Sequence, residues 1–125
     1  MVDASLTVDV KSRHKLIQSI TSRRLTMDQM RSYTINKGMM ESWVKLFETG
    51  IKPAHEAMGI PVVATWVNSD HNQFIWVRRF ADDDDVPAKE AAFRESDGFK
   101  SLGSQPGDHI AKMDVQSLEK GDLAA

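Results

Sequence analysis

The fold is decided by residues 28–80, which read DQMRSYTINKGMMESWVKLFETGIKPAHEAMGIPVVATWVNSDHNQFIWVRRF. This stretch combines an alternating strand, a long amphipathic segment and two strands that are apolar on both faces. A strand with one apolar face can leave its other face to water, but a strand with two apolar faces must be covered twice. In a chain of 125 residues, we expect the second cover to come from another copy of the protein. The stretch therefore predicts a small domain that dimerises through its sheet.

The first part of the stretch predicts a strand followed by a helix. Between residues 26 and 35 the side chains alternate, which places one set on a common face: Gln29, Arg31, Tyr33 and Ile35. Residues 39–59 carry apolar side chains at steps of three or four, the spacing of one helical face: Met40, Trp43, Phe47, Ile51, Ala54 and Met58. Gly50 and Pro53 predict a kink or break within this helix, and Gly59 is placed to end it.

The remaining elements follow from similar signals. Residues 62–67 and 73–81 are β-branched and aromatic, and the short turn between them predicts a hairpin. The aspartates just before VPAKEAAFRES and the proline at its second position predict a second helix from residues 84–87 to 95–96. A long loop and a last strand over residues 110–118 are expected to follow. The order β-α-β-β-α-β predicts an α+β, ferredoxin-like fold with an antiparallel sheet.

We divide the chain into an N-terminal extension (residues 1–25), one domain (residues 26–118) and a C-terminal tail (residues 119–125). Residues 1–24 hold five basic residues against two aspartates, a net charge of +3. The extension is open to three interpretations: an irregular or helical addition to the domain, an arm that packs on a neighbour, or an organelle-targeting peptide. We expect a cytoplasmic protein, or one of the mitochondrial matrix if the extension is a targeting peptide.

Composition argues against several classes of function. The net charge of −2 gives no attraction to nucleic acid, and the absence of cysteine excludes disulfides and thiolate chemistry. No apolar run approaches the roughly 18 residues of a membrane span. No pair of histidines has a metal-binding spacing, and neither a phosphate-binding loop nor a Gly-x-Ser-x-Gly motif occurs. We therefore predict no metal site and no cofactor, and we disfavour a serine nucleophile.

Three segments carry a resemblance to a known family: MRSYTINKGMMESWVKLFETGIKPAHEAMGIPVVATW, WVRRFADDDD and AKEAAFRESDGF. In these segments, over roughly residues 26–118, the chain resembles the NIPSNAP family of the dimeric α/β-barrel superfamily. The resemblance implies a homodimer whose sheets face each other, with a small pocket between sheet and helices in each subunit. It also implies no single reaction, because relatives in the wider superfamily include monooxygenases, cyclases, isomerases, haem-degrading enzymes and binding proteins.

Two functions remain open on this basis. The first is a cofactor-independent enzyme, of the monooxygenase, isomerase or cyclase type, that acts on a small aromatic or polyketide-like molecule. The second is a non-catalytic dimeric module that binds a small molecule or a protein partner.

The candidate catalytic residues are Arg31, Tyr33 and His55. Arg31 and Tyr33 share a strand face, so the phenol can act as proton donor or oxyanion stabiliser while the guanidinium holds an acidic group. The alternative is that Tyr33 only packs and Arg31 pairs with an acid. His55, near the end of the long helix, is a candidate general base or a half-buried residue that suits the helix C-terminus. His14, His71 and His109 are weaker candidates.

The candidate ligand-binding residues are Trp66, Trp76, Arg78 and Phe80. Aromatic side chains in a half-buried sheet either line a pocket or belong to the core. Arg78 and Arg79 are adjacent charges in an apolar strand, so one must point to each face and at least one needs a partner or a ligand. We expect Asp82 to Asp85 to supply the structural partners.

Overall fold

A computed structural model describes residues 26–119 as a four-stranded sheet with helices on one side. The strands are β1 (Met27–Ile35), β2 (Val62–Val67), β3 (Gln73–Phe80) and β4 (Ile110–Leu118). Helix α1 runs through three consecutive segments, Met40–Leu46, Phe47–Ile51 and Lys52–Ala57. It is followed by α2 (Val86–Glu95) and two short helices, α3 (Asp97–Lys100) and α4 (Gln105–His109). The predicted order of elements is confirmed, except that the expected long loop after α2 contains these two short helices.

The sheet has the order β2-β3-β1-β4, and its neighbouring strands are antiparallel. This is the ferredoxin-like arrangement predicted from the element order. Tyr33 of β1 lies opposite Phe74 of β3 and Met113 of β4, so these three residues share one face of the sheet. The same register puts Arg31 opposite Trp76, and Gln29 opposite Arg78. The strands thereby bring several polar side chains onto the helix side.

Helix α1 is interrupted where Gly50 and Pro53 predicted a break. Its middle segment, Phe47–Ile51, has the wider π-helical hydrogen bonding. A side chain at Gly50 would meet Leu102 at 2.8 Å, so the glycine allows the chain after α3 to pack against α1. Gly59 ends the helix with φ of +74°, a backbone conformation that favours glycine.

Helix α2 begins as its sequence predicts. The carboxylate of Asp85 accepts a hydrogen bond from the backbone N–H of Ala88 at 3.2 Å, and Pro87 lies in the first turn. Both features stabilise the start of a helix, because they satisfy or remove N–H groups that have no partner inside it.

Two apolar clusters hold the helices on the sheet. The larger joins β1, β3 and the first half of α1 through Tyr33, Ile35, Met40, Trp43, Phe47, Ile51, Phe74 and Trp76. The smaller lies at the other end of α1 and contains Ala54, Ile60, Phe80 and Phe93. The apolar positions predicted for one face of α1 are therefore the positions that pack on the sheet.

The opposite face of the sheet carries apolar side chains that no helix of residues 26–119 covers. Trp66 pairs with Ile75, and Ala64 pairs with Val77, whose neighbour on β1 is Met30. Trp66 is 52% exposed. This pattern agrees with the prediction that β2 and β3 are apolar on both faces.

The proposed roles of the N-terminal extension concern residues 1–25, which lie outside the described residues, as do residues 120–125 of the tail. Within residues 26–119, no helix is long and apolar enough to cross a membrane.

The end of α1 gives a test of the fold. Replacing Gly59 with Ala forces a side chain into a positive-φ conformation, with its Cβ 3.0 Å from the Lys89 ammonium nitrogen. We expect a loss of about 1–2 kcal/mol in the free energy of unfolding, measured by urea denaturation. Gly107→Ala is the matched control, since nothing lies within 4 Å of a Cβ at that position and its φ is not positive. An equal loss in both variants would contradict this account of the helix end.

Candidate functional site

A cleft of about 290 Å³ lies between the helix side of the sheet and the helices packed on it. Its walls are largely aromatic, with contributions from Tyr33, Trp43, Trp76, Phe93 and Phe99. Among residues 26–119, the ionisable side chains that line it, apart from Tyr33 and His55, are three arginines and one glutamate: Arg31, Arg78, Arg94 and Glu90. The described walls of the cleft are therefore largely apolar, and their charged side chains are mostly positive.

Arg78 is the centre of a buried polar network at the floor of the cleft. Its Nε donates to Oε1 of Gln29 at 2.8 Å, and its Nη2 donates to Oε2 of Glu90 at 2.8 Å. Its Nη1 lies 2.9 Å from Nε2 of His55. Only 5% of Arg78 is exposed. Burial, followed by the positive charge of Arg31, lowers the pKa of Arg78 to about 10, so the guanidinium remains charged at neutral pH.

His55 accepts a hydrogen bond from Arg78 rather than giving one. Its Nδ1 lies 2.9 Å from the carbonyl oxygen of Ile51, which can only accept, so Nδ1 carries the proton. Nε2 then presents its lone pair to Arg78. Burial is the main cause that lowers the pKa of His55 to about 4, and the charges of Arg78 and Arg31 act in the same direction. His55 is consequently neutral at physiological pH, with both ring nitrogens engaged.

Arg31 and Tyr33 form the second polar pair of the cleft. Nε of Arg31 donates to the Tyr33 hydroxyl oxygen at 2.8 Å, and Nη1 donates to Oε1 of Gln29 at 2.7 Å. Among residues 26–119, the one hydrogen-bond partner of its Nη2 is the sulfur of Met113, at 3.2 Å. No carboxylate of residues 26–119 lies within 4 Å of the Arg31 guanidinium, whereas Glu90 pairs with Arg78. Arg31 is thus a cation that the described residues do not neutralise.

Two further donors belong to the cleft wall. The indole N–H groups of Trp43 and Trp76 are buried, and no residue among 26–119 accepts a hydrogen bond from either. A buried donor without an acceptor costs free energy. The wall therefore holds two donors whose hydrogen-bonding capacity is unused within the described part of the chain.

The structure brings together five of the seven residues predicted for the site: Arg31, Tyr33, His55, Trp76 and Arg78. Trp66 lies on the other face of the sheet, because it pairs with Ile75 and not with Trp76. Phe80 is on the correct face but lies buried in the smaller apolar cluster, with the Arg78 guanidinium carbon 5.3 Å from its ring centroid. Neither residue lines the cleft.

The prediction that Asp82 to Asp85 pair with Arg78 and Arg79 was wrong. Arg78 pairs with Glu90 of α2, and Arg79 forms a two-pronged ion pair with Asp28 at 2.7 and 2.9 Å. The aspartates after β3 instead serve the loop and the helix start, since Asp84 accepts from the backbone of Ala81.

Sequence reasoning also missed three residues that shape the cleft: Gln29, Trp43 and Glu90. The strand alternation that selected Arg31 and Tyr33 contains the signal for Gln29, and the helical spacing contains the signal for Trp43. Glu90 has no comparable signal, because its role depends on how α2 packs against the sheet. Within residues 26–119, no cluster of three or more His, Cys, Asp or Glu side chains is arranged to hold a metal ion.

Comparison with known proteins places this geometry in a family. The NIPSNAP family model matches residues 28–121. A NIPSNAP family protein from Agrobacterium tumefaciens shares 18% identity over 80% of this chain and 90% of that chain, with a TM-score of 0.69. An uncharacterised NIPSNAP domain protein from Burkholderia xenovorans shares 12% identity over 76% and 94% of the two chains, with a TM-score of 0.66.

A third similar structure is a putative antibiotic biosynthesis monooxygenase from Bacteroides thetaiotaomicron. It shares 13% identity over 78% of this chain and 90% of that chain, with a TM-score of 0.63. At these identities, the likeness to solved structures shows the fold alone. No curated protein matches the chain. Because the family model covers residues 28–121 of the 125, the chain belongs to the NIPSNAP family.

Proposed function

We propose that the protein is a cofactor-independent enzyme that binds a small anionic aromatic molecule in the cleft and stabilises an enolate formed from it. The observation that carries this proposal is the Arg31–Tyr33 pair. It presents a cation without a carboxylate partner among residues 26–119, next to a phenol, inside an aromatic cleft.

The charges of the cleft support an anionic ligand. Glu90 compensates Arg78 through their 2.8 Å ion pair, and Gln29 offers Arg31 only a neutral carbonyl oxygen. A ligand carboxylate or enolate oxygen near Arg31 would supply the missing negative charge, and such charge-assisted hydrogen bonds are stronger than neutral ones. The aromatic walls favour a flat, apolar body attached to that oxygen.

Tyr33 supplies the second part of the chemistry. Its oxygen accepts from Arg31, so the hydroxyl proton is free to point toward a ligand. A phenol and a guanidinium that meet one oxygen stabilise negative charge as it develops there. Removal of a proton beside a carbonyl generates such a charge, and this step is common to isomerisation, carbon–carbon cyclisation and cofactor-free oxygenation.

A residue other than Arg31 and Tyr33 must accept the proton, and the ring nitrogens of His55 are already hydrogen-bonded. Both of its nitrogens are engaged, with Ile51 and Arg78, which suits a positioning residue for Arg78. Glu90 has Oε2 in contact with Arg78 and Gln29, while its Oε1 accepts no hydrogen bond from residues 26–119. We assign Glu90 the role of proton acceptor.

A non-catalytic binding module is the second candidate. It is favoured by the three nitrogens of Arg78, each of which has a partner, and by the ion pair that engages Oε2 of Glu90. The enzyme and the binding module would bind the same class of ligand, but only the enzyme would convert it.

The uncovered sheet face supports a homodimer as the working form. On the side away from the helices, Trp66 is 52% exposed, the paired Ile75 is half-buried and the neighbouring Val77 is buried. An exposed tryptophan on a sheet face that no helix of residues 26–119 covers favours association through that face. We propose that two copies meet through this face.

The enolate proposal is tested by hydrogen exchange at carbon. 4-Hydroxyphenylpyruvate, an aromatic α-keto acid, is incubated with protein in deuterium oxide, and deuterium uptake beside its ketone is followed by NMR. We expect the wild type to accelerate uptake and Tyr33→Phe to lower the rate at saturation by about 100-fold, because one oxyanion donor is lost. Arg31→Gln should raise the concentration needed for half-saturation by at least about 10-fold.

The control for this experiment is Arg79→Gln, which removes the adjacent positive charge on the opposite sheet face and should leave exchange unchanged. Binding without acceleration by the wild type would reject the enzyme and leave the binding module. Absence of binding would reject both.

His55 gives a prediction for the dependence of stability on pH. Its pKa is about 4 in the folded protein and near 6.5 in the unfolded chain, so between these values only the unfolded chain binds a proton. The free energy of unfolding should therefore fall as the pH drops from about 6.5 to about 4, by on the order of 3 kcal/mol from this group. Urea denaturation at several pH values measures it.

In His55→Gln, the part of this pH dependence that belongs to His55 should disappear. His71→Asn is the control, because His71 is exposed in the hairpin turn and Asn tolerates its positive φ of 57°. If the free energies of unfolding of wild type and His55→Gln fall equally as the pH drops, the conclusion that His55 is buried in its neutral form is contradicted.

The dimer is tested by analytical ultracentrifugation. We expect wild-type protein to sediment as a dimer and Trp66→Glu as a monomer, because the new carboxylate would be buried in the interface without a partner. Thr65→Glu is the matched control, since Thr65 is exposed on the same strand but pairs with Trp76 and so lies on the helix side. A monomeric wild type would reject the interface.

A further inference from the structure

A second polar pair lies outside the cleft, where α4 packs on the start of α1. The hydroxyl oxygen of Ser42 is 2.8 Å from Nε2 of His109. Nδ1 of His109 lies 2.7 Å from the carbonyl oxygen of Gln105. His109 is 7% exposed, whereas Ser42 is exposed to solvent. A fixed imidazole therefore supports an accessible hydroxyl.

The hydrogen-bond partners fix the direction of the proton. The Gln105 carbonyl only accepts, so Nδ1 of His109 carries the ring proton and Nε2 holds a lone pair. The Ser42 hydroxyl must then donate to Nε2. A hydroxyl that donates to an imidazole, which is itself oriented by a third group, is the arrangement that activates a serine as a nucleophile. Here a backbone carbonyl takes the orienting place that a carboxylate has in many such sites.

Ser42 lies near backbone N–H groups at the start of α1. Ser42 lies in the first turn of the helix, where backbone N–H groups have no partner within the helix, and no side chain caps this end. An N–H group beside a nucleophile can stabilise the oxyanion of a tetrahedral intermediate. A nucleophile and a base thus occur together at one accessible place, near the start of a helix.

We propose that Ser42 and His109 form a second reactive site, which accepts acyl groups from small, unhindered esters. In the first step, Oγ of Ser42 bonds to the ester carbonyl carbon while Nε2 of His109 takes the hydroxyl proton. The ester C–O bond then breaks, and His109 returns the proton to the leaving alcohol. Water attacks the acyl-serine in the same way, which releases the carboxylic acid and restores Ser42.

No local sequence motif predicts this site. Ser42 and His109 are 67 positions apart, and only the packing of α4 against α1 brings them together. The site also differs from the cleft, because neither residue lines it. Its test is therefore independent of the enolate proposal.

The experiment exposes the full-length protein to an ethoxy fluorophosphonate and locates adducts by peptide mass spectrometry. We expect modification at Ser42, at a rate at least about 100-fold above that of His109→Gln, because general-base assistance is lost there. Ser101 is an internal control, since it is exposed and its hydroxyl donates to the carbonyl of Gly98 rather than to a histidine. No adduct at Ser42, or equal adducts at Ser42 and Ser101, would overturn the proposal.

A second measurement covers the case in which His109→Gln does not fold. The chain has no cysteine, so Ser42→Cys and Ser101→Cys each introduce a single thiol. The pH dependence of alkylation by iodoacetamide reports the pKa of each thiol. We expect the thiol at position 42 to react at lower pH than the thiol at position 101. Coincident profiles would show that His109 does not act as a base toward position 42.

Discussion

The arrangement of the cleft depends on one buried cation, Arg78. A guanidinium removed from water must have its donors satisfied, or the fold loses the free energy of several hydrogen bonds. Each nitrogen of the Arg78 guanidinium has a partner, one from each surrounding element: Gln29 of β1, His55 of α1 and Glu90 of α2. Because the three partners converge on one group, the sheet and both helices are held in a single relative position. The cleft beside them is preorganised by the same contacts.

This constraint also explains why the cleft remains positive. Glu90 is the one carboxylate among the described residues that line the cleft, and its Oε2 is paired with Arg78. Gln29 serves both arginines with a single carbonyl oxygen, which satisfies donors without cancelling charge. Arg31 therefore keeps a charge next to Tyr33 that no carboxylate of the described residues compensates. The need to stabilise a buried arginine thus leaves an anion-binding group at the cleft, which connects the packing of the fold to the proposed function.

The sequence predicted the elements better than the contacts between them. Strand alternation correctly put Arg31 and Tyr33 on one face, and Gly50 with Pro53 marked the break in α1. Trp66 was misplaced, because the face of a residue in β2 relative to β3 depends on the register of the pair, which shifts near Val62. Glu90 was missed for a related reason. An exposed helical pattern does not reveal which carboxylate meets a buried cation 12 positions away in the chain.

Two buried histidines of residues 26–119 show how the same local hydrogen bond leads to different chemistry. In each, Nδ1 donates to the carbonyl four residues earlier, Ile51 for His55 and Gln105 for His109, so the backbone fixes the same tautomer. Nε2 is then directed outward as an acceptor, and its partner decides the outcome. For His55 the partner is a guanidinium, which keeps its protons at neutral pH and holds the ring in a structural role. For His109 the partner is a hydroxyl, which becomes more nucleophilic when its proton is drawn toward the ring. The identity of the tertiary partner, rather than the histidine itself, therefore determines which of the two rings can take part in catalysis.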